Sequence, residues 1–173
     1  MCRKCCSRQS MAREKTMVEI ACEYVIAPRK TIRLELLFSN DPISFFGGVN
    51  AADGKVADYR HGSYQQSMSN KAFAFPFGKG SSGAGLVLME MMRLKTAPAA
   101  IINIRTDPVI LTGPLISWHY YEQILPVINM NEQNYAGLAN MKEIELFATG
   151  AVLNAFPESG TTACSAVARS PAE

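Results

Sequence analysis

The stretch KAFAFPFGKGSSGAGLVLMEMMRLK, residues 71–95, changes its hydrophobic period midway. Phe73, Phe75 and Phe77 fall on alternate positions, the period of a strand. From Leu86 through Met89 to Leu94 the apolar residues form a helical run, with Arg93 and Lys95 in its last turn. Between the two lies GKGSSG, and Ser81 or Ser82 is placed to cap the helix. A strand that passes through such a loop into a helix lays that helix back on its own sheet. With further strands on either side, the class is α/β or α+β with a mixed sheet. Pro76 limits how centrally its strand is hydrogen-bonded at that point.

Other segments supply the remaining strands. VEIACEYVI (18–26) is β-branched and alternates weakly. TIRLELLF (31–38) puts Ile32, Leu34 and Leu36 on one face and Arg33 and Glu35 on the other. The segment from Asp41 to Asp58 holds two turn signals, Gly47-Gly48 and Asp53-Gly54, the latter suited to a hairpin. AAIINI (99–104) reads as a buried strand and PVINM (126–130) as another. MKEIELFATGAVL (141–153) reads as a closing hairpin turning at Gly150. VILTGPLISWHYYEQ (109–123) is apolar and partly helical, and Gly113-Pro114 is expected to break or begin an element there. Residues 1–16 read as a polar, basic leader, 17–154 as the domain, and 155–173 as a flexible Ser/Ala/Thr-rich tail.

The chain has 173 residues, 48% of them apolar and 18% charged, enough for a real core in one domain. A net charge of +2 argues for neither nucleic acid nor an anionic membrane as partner. No apolar run is long enough to span a bilayer, and the leader lacks the apolar stretch of a secretory signal. Cys2, Cys5 and Cys6 make a C-x-x-C-C run. With only Cys22 and Cys164 remaining and no histidine nearby, a metal site in this chain is not expected. An odd number of cysteines, five, argues against a disulfide framework and for a reducing compartment, the cytoplasm.

Three readings compete for GKGSSG. It fits G-x-G-x-x-G after a strand and before a helix, with an acid, Asp107, about 24 residues on, as in dinucleotide sites. The chain lacks the repeated βαβ halves of such folds. A P-loop is excluded, because position 74 is Ala and no Ser or Thr follows Lys79. The third reading is an anion site with a catalytic serine. Orphan N–H groups at a helix start carry partial positive charge, glycines permit close approach, and a serine alkoxide is stabilised by the same dipoles. Pattern alone favours serines that only cap the helix.

The motifs S-F-x-G-G-V (Ser44–Val49), a His after a D-G hairpin (His61), P-x-G-x-G-S-S (Pro76–Ser82), T-A-P-A-A-I-I (Thr96–Ile102) and D-P-V-x-x-x-G (Asp107–Gly113) occur in this order. Together they resemble the swivel domain, or small subunit, of the aconitase X family, from about Cys22 to Leu153. The resemblance implies a swivelling β/β/α fold of aconitase type. It implies a hydro-lyase acting on cis-3-hydroxy-L-proline or mevalonate 5-phosphate. It also implies an iron–sulfur cluster on a large partner subunit, without which this chain is inactive. By the same resemblance Ser81 is the catalytic base. Ser82, Gly80, Gly83, Lys79, Gly48 and His61 are the substrate-binding candidates, for a small anionic substrate. A stand-alone dinucleotide- or anion-binding module is the alternative. Lys79 stands where the family usually has Arg, keeping the charge but not the bidentate fork. Gln65 and Asn70 stand where glycines are common. His119 and the Met89, Met91, Met92 run read as packing or partner-facing residues.

Overall fold

A computed structural model describes residues 17–157. The cysteines of the leader, Cys164, and the expected tail beyond Pro157 lie outside the described residues. In chain order the strands are β1 (Val18–Ala21), β2 (Glu23–Ile26), β3 (Ile32–Phe38), β4 (Val49–Asn50), β5 (Lys55–Val56), β6 (Ala72–Ala74), β7 (Ala100–Asn103), β8 (Val127–Asn129), β9 (Met141–Leu146) and β10 (Val152–Pro157). The helices are α1 (Phe45–Gly48), α2 (Ala84–Leu94), α3 (Pro108–Tyr121) and α4 (Glu132–Gly137). The last strand therefore takes in Ala155, Phe156 and Pro157, which the sequence assigns to the tail. Phe156 is held there under the Arg33 guanidinium, 4.1 Å from its ring centre.

Eight strands form one sheet in the order β1-β10-β9-β3-β6-β7-β8-β2, and β4-β5 form a small separate hairpin. β1, β10, β9 and β3 pair antiparallel, whereas β3, β6, β7 and β8 pair parallel. β3 serves both halves: Ile32–Glu35 pair with β9, and Leu36–Phe38 pair with β6. The run VEIACEYVI is thus two strands, not one. β1 ends the antiparallel half, and β2 edges the other half, pairing antiparallel with β8. Cys22 between them donates its N–H to Ala151 O at 2.7 Å.

The alternation of small and large residues builds two cores. On β6 and β7, Ala72, Ala74, Ala100 and Ile102 face the antiparallel half, joining Ile20, Leu36, Ile144, Leu146 and Leu153. Phe73, Phe75 and Ile101 face the other way, against Leu88, Met91 and Ile110 of α2 and α3. The two halves of the sheet, joined through β3, thus face each other across the first core, and the helices cover the outer face of the parallel half, giving the β/β/α layering expected from the resemblance. Both long helices cover one face of the parallel strands, which is not the doubly wound arrangement of a dinucleotide fold.

Gly113-Pro114 does not break the helix: α3 runs through it with Pro114 inside. The reason is contact with α2. A Cβ on Gly113 would strike Gly85 O, and one on Gly85 would strike Thr112 Oγ1 and lie 2.7 Å from Val109 O. The helices meet backbone to backbone, and this contact compensates for the hydrogen bond that Pro114 cannot donate. Asp107 starts α3 by accepting Val109 N–H at 2.9 Å, and Pro108 occupies the first turn, where a missing N–H costs least. Gln65 (φ 62°) and Asn70 (φ 59°) are left-handed, which explains why glycine suits both positions.

Gly85→Ala is expected to lower the unfolding free energy by about 1–3 kcal/mol through overpacking. Gly137→Ala, where the added methyl meets nothing within 4 Å, is expected to be near neutral. Thermal melts of the two variants decide whether the helix crossing is the cause. Burial pushes the Cys22 thiol up from 9.0 to about 11. Between those values the unfolded chain loses this proton and the folded chain keeps it, so stability is lost as pH rises from 9 to 11. Cys22→Ala should flatten the alkaline slope of a pH series of melts.

Candidate active site

The GKGSSG loop leaves the carboxyl end of β6, between the carboxyl ends of β3 and β7. In parallel sheets ligands gather at that edge. Three backbone links hold the loops together there. Lys79 N–H donates to Ile43 O at 2.8 Å, Ile43 bridges Gly78 in parallel, and Phe77 bridges Arg105. Buried Asn103 at the end of β7 donates to Phe75 O at 2.7 Å, joining the ends of the two central strands. Pro76 lies just past the β6 ladder, and its carbonyl accepts Ile104 N–H at 3.0 Å.

Ser81 and Ser82 do not cap α2. The residue at the cap position is Gly83, with no side-chain cap, and the two serines stand in the turn before it. There the Ser81 hydroxyl oxygen accepts Gly83 N–H at 3.2 Å. Lys79, Gly80, Ser81 and Ser82 are all exposed. Gly80 has φ 104°, and a Cβ on it would lie 2.7 Å from Ser44 Oγ. Ser44 in turn donates to Phe46 O at 2.8 Å. A Cβ on Gly83 would lie 2.9 Å from the Phe46 ring. The glycines therefore allow the loop to lie directly on residues 44–46. Phe46, Phe77 and Leu86 are exposed, at 59%, 41% and 62%, so an apolar rim surrounds a polar loop.

The Asp58 carboxyl is held below its ordinary range, first by the Arg60 N–H and in smaller part by the nearby Lys79 and Arg60 charges. Gly48 is buried at the base of the next loop, where its carbonyl accepts Ala57 N–H at 2.9 Å. His61 is also buried, at 5% exposure, and its ring is engaged within the protein. Nδ1 accepts Ser63 N–H at 3.1 Å, and Nε2 lies 3.3 Å from Asp41 O and 3.4 Å from Ser39 Oγ. The structure thus brings Lys79, Gly80, Ser81, Ser82 and Gly83 together at the surface and sets Gly48 and His61 beneath the neighbouring loop. Ser39, Asp41 and Asn103 organise the edge and carry no motif of their own in the sequence.

Two concavities open elsewhere on the described surface. One, of about 430 Å³, is lined by Cys22, Asn129, Asn131 and Asn134, and the other by Arg29, Leu115, Trp118 and Glu122. Neither touches the loop. Among the described residues no set of three or more His, Cys, Asp or Glu side chains is arranged to hold a metal. Cys22 is the one cysteine there, and it is buried and protonated well into the alkaline range. These residues do not fit an iron–sulfur cluster, which takes several thiolates. No helix among them is long and apolar enough to cross a membrane.

A family model described as the aconitase X swivel domain matches residues 20–154. A Methanosarcina mazei protein named phosphomevalonate dehydratase small subunit is 37% identical over 100 residues, 58% of this chain and 65% of that protein. The chain thus matches less than two thirds of that relative's length. A Methanothermobacter thermautotrophicus protein of the same name is 32% identical over 121 residues, 70% of this chain and 86% of its own. The crystal structure of Thermococcus kodakaraensis aconitase X (holo-form) superposes with a TM-score of 0.67 at 23% identity, covering 80% of this chain and 98% of that one.

Gly80→Ala is expected to displace the backbone amide resonances of residues 79–83, leave those of β9 and β10 in place, and cost about 1–3 kcal/mol of stability. Unmoved loop resonances would show that the close approach to Ser44 is not obligatory.

Proposed function

Because the chain belongs to the aconitase X swivel-domain family, we propose that it is the small subunit of a two-subunit hydro-lyase. The partner is a large subunit that carries the iron–sulfur cluster. The first-choice substrate is mevalonate 5-phosphate, from the names of the relatives, and cis-3-hydroxy-L-proline is the second. Both are small anions or zwitterions, suited to a loop with free N–H groups and Lys79 beside it.

The observation that carries this reading is the hydrogen bond from Gly83 N–H to Ser81 Oγ at 3.2 Å, on an exposed loop at the start of α2. A serine is a poor base at its free pKa. An N–H aimed at its oxygen, reinforced by the helix start, lowers the cost of the alkoxide. Ser81 first loses its own proton to solvent; its alkoxide then takes the substrate proton and returns to the hydroxyl, the C–H electron pair becomes the new double bond, and the hydroxide leaves with the C–O pair on the partner's side. Ser82, the loop amides and Lys79 hold the anionic group meanwhile. The exposed Phe46, Phe77 and Leu86 are the contacts that exclude water once the large subunit closes over the loop.

The test is reconstitution with the large subunit encoded in the same genome, assayed for loss of water from each substrate. Ser81→Ala should reduce kcat by roughly 10²–10⁴-fold while the pair still copurifies. Lys79→Ala should act mainly on KM. Near-normal turnover in Ser81→Ala would remove it from the base role. An inactive wild-type pair on both substrates, with dinucleotide affinity in the chain alone, would favour the binding-module alternative.

A further inference from the structure

We propose that His61 is a positioning residue for the Gly-Ser-Ser loop, acting through the segment Ser39–Phe46. The inference rests on the hydro-lyase reading for its kinetic consequence, though not for its structural one. His61 does not reach the exposed loop itself. Its Nδ1 receives the Ser63 N–H, so the ring hydrogen sits on Nε2 and points toward Asp41 O and Ser39 Oγ. The same short segment is gripped from two other sides. Tyr135 OH donates to Ser39 O at 2.6 Å, and Gly62 N–H donates to Asp41 Oδ2 at 2.8 Å. Ser39 N–H is tied to Ala74 O at 2.9 Å, at the end of β6.

From there the segment runs directly under the loop. Ile43 O accepts the Lys79 N–H, Ser44 Oγ lies against Gly80, and the Phe46 ring lies against Gly83. Residues 39–46 are therefore the surface on which 79–83 rest, and His61 fixes the end at which that surface begins. A buried imidazole can serve this purpose because it spans two loops with one rigid ring, accepting from one and donating to the other. Loss of the Nε2 link leaves the Asp41 carbonyl with only the Ser39 hydroxyl as donor, at 3.2 Å, and loosens the segment enough to tilt, which moves Ser81 relative to the substrate. Misplacement by about 1 Å is sufficient to cost a large factor in rate.

Two near-isosteric substitutions separate positioning from general stability. Asparagine keeps an acceptor near the Nδ1 position and loses the reach to Asp41; glutamine keeps a donor near the Nε2 position and loses the Ser63 contact. In the reconstituted enzyme His61→Asn should lower kcat by roughly tenfold or more, whereas His61→Gln should restore it to within about threefold of wild type. Both should melt at similarly lowered temperatures. In the full chain without its partner, the amide resonances of Gly80–Gly83 should shift in His61→Asn and stay in place in His61→Gln. Activity that simply follows melting temperature in both variants, or loop resonances unmoved in His61→Asn, overturns the proposal. If neither variant folds, Ser39→Ala, which removes the hydroxyl shared by His61 and Asp41, must shift the same resonances or the coupling is refuted. An inactive wild-type pair would sink the hydro-lyase reading alone, because the resonance measurement still decides the role of His61.

Discussion

The division of side chains across β6 and β7 is the constraint on which the domain depends. Alanines at 72, 74 and 100 point to one side, and phenylalanines at 73 and 75 with Ile101 point to the other. Small residues leave room for the side chains of the antiparallel strands to pack against β6 and β7. Large residues hold the helices off at the distance their own side chains need. A one-residue slip of β6 would exchange the two sets and spoil both cores at once. Its register is therefore fixed from both faces, and so is the height at which the chain leaves the sheet at Phe75. The glycine loop begins from that fixed point.

From there, position is passed on by backbone contacts more than by side-chain packing. Asn103 joins the ends of β6 and β7, Ile43 receives the Lys79 N–H, and two glycines let the loop lie flat on Ser44 and Phe46. A loop held in this way can be exposed to solvent and still be ordered. That combination keeps the Ser81 hydroxyl set against the Gly83 N–H without help from any bound group. The apolar rim of Phe46, Phe77 and Leu86 has the composition of a surface meant to be covered.

Much of this was legible in the residues. The period change at residues 71–95, the buried strands at 99–104 and 126–130, and the closing hairpin each follow from local pattern, and the family resemblance from motif order. Three features were not legible. The run 18–26 divides at Cys22 because its two halves belong to opposite ends of the sheet, a tertiary fact that no local period contains. Gly113-Pro114 reads as a helix breaker until Gly85 is seen to need that gap. The serines read as helix caps because the turn preceding α2 has the same composition as a cap. In the site, Lys79 and Gly80–Gly83 were visible as a motif. Ser39, Asp41 and Asn103 were not, because a residue that holds a loop by one hydrogen bond leaves no periodic trace. His61 was visible as a residue, but its partners depend on two loops distant in sequence.

The split strand has a consequence for how the chain is made. β1 pairs with β10, Val18 opposite Ala155, so the first strand to be synthesised has its neighbour only when the last has emerged. β3 likewise waits for β9 along half its length. Until then the parallel half and its helices can assemble, while the alanine-faced side of β6 and β7 stays uncovered. Closure of such sequence-distant pairs is slow, and an uncovered sheet face invites association with other chains. The edge formed by β3, β6 and β7, with the glycine loop on it, needs neither β1 nor β10, so it is able to form before the opposite face is sealed.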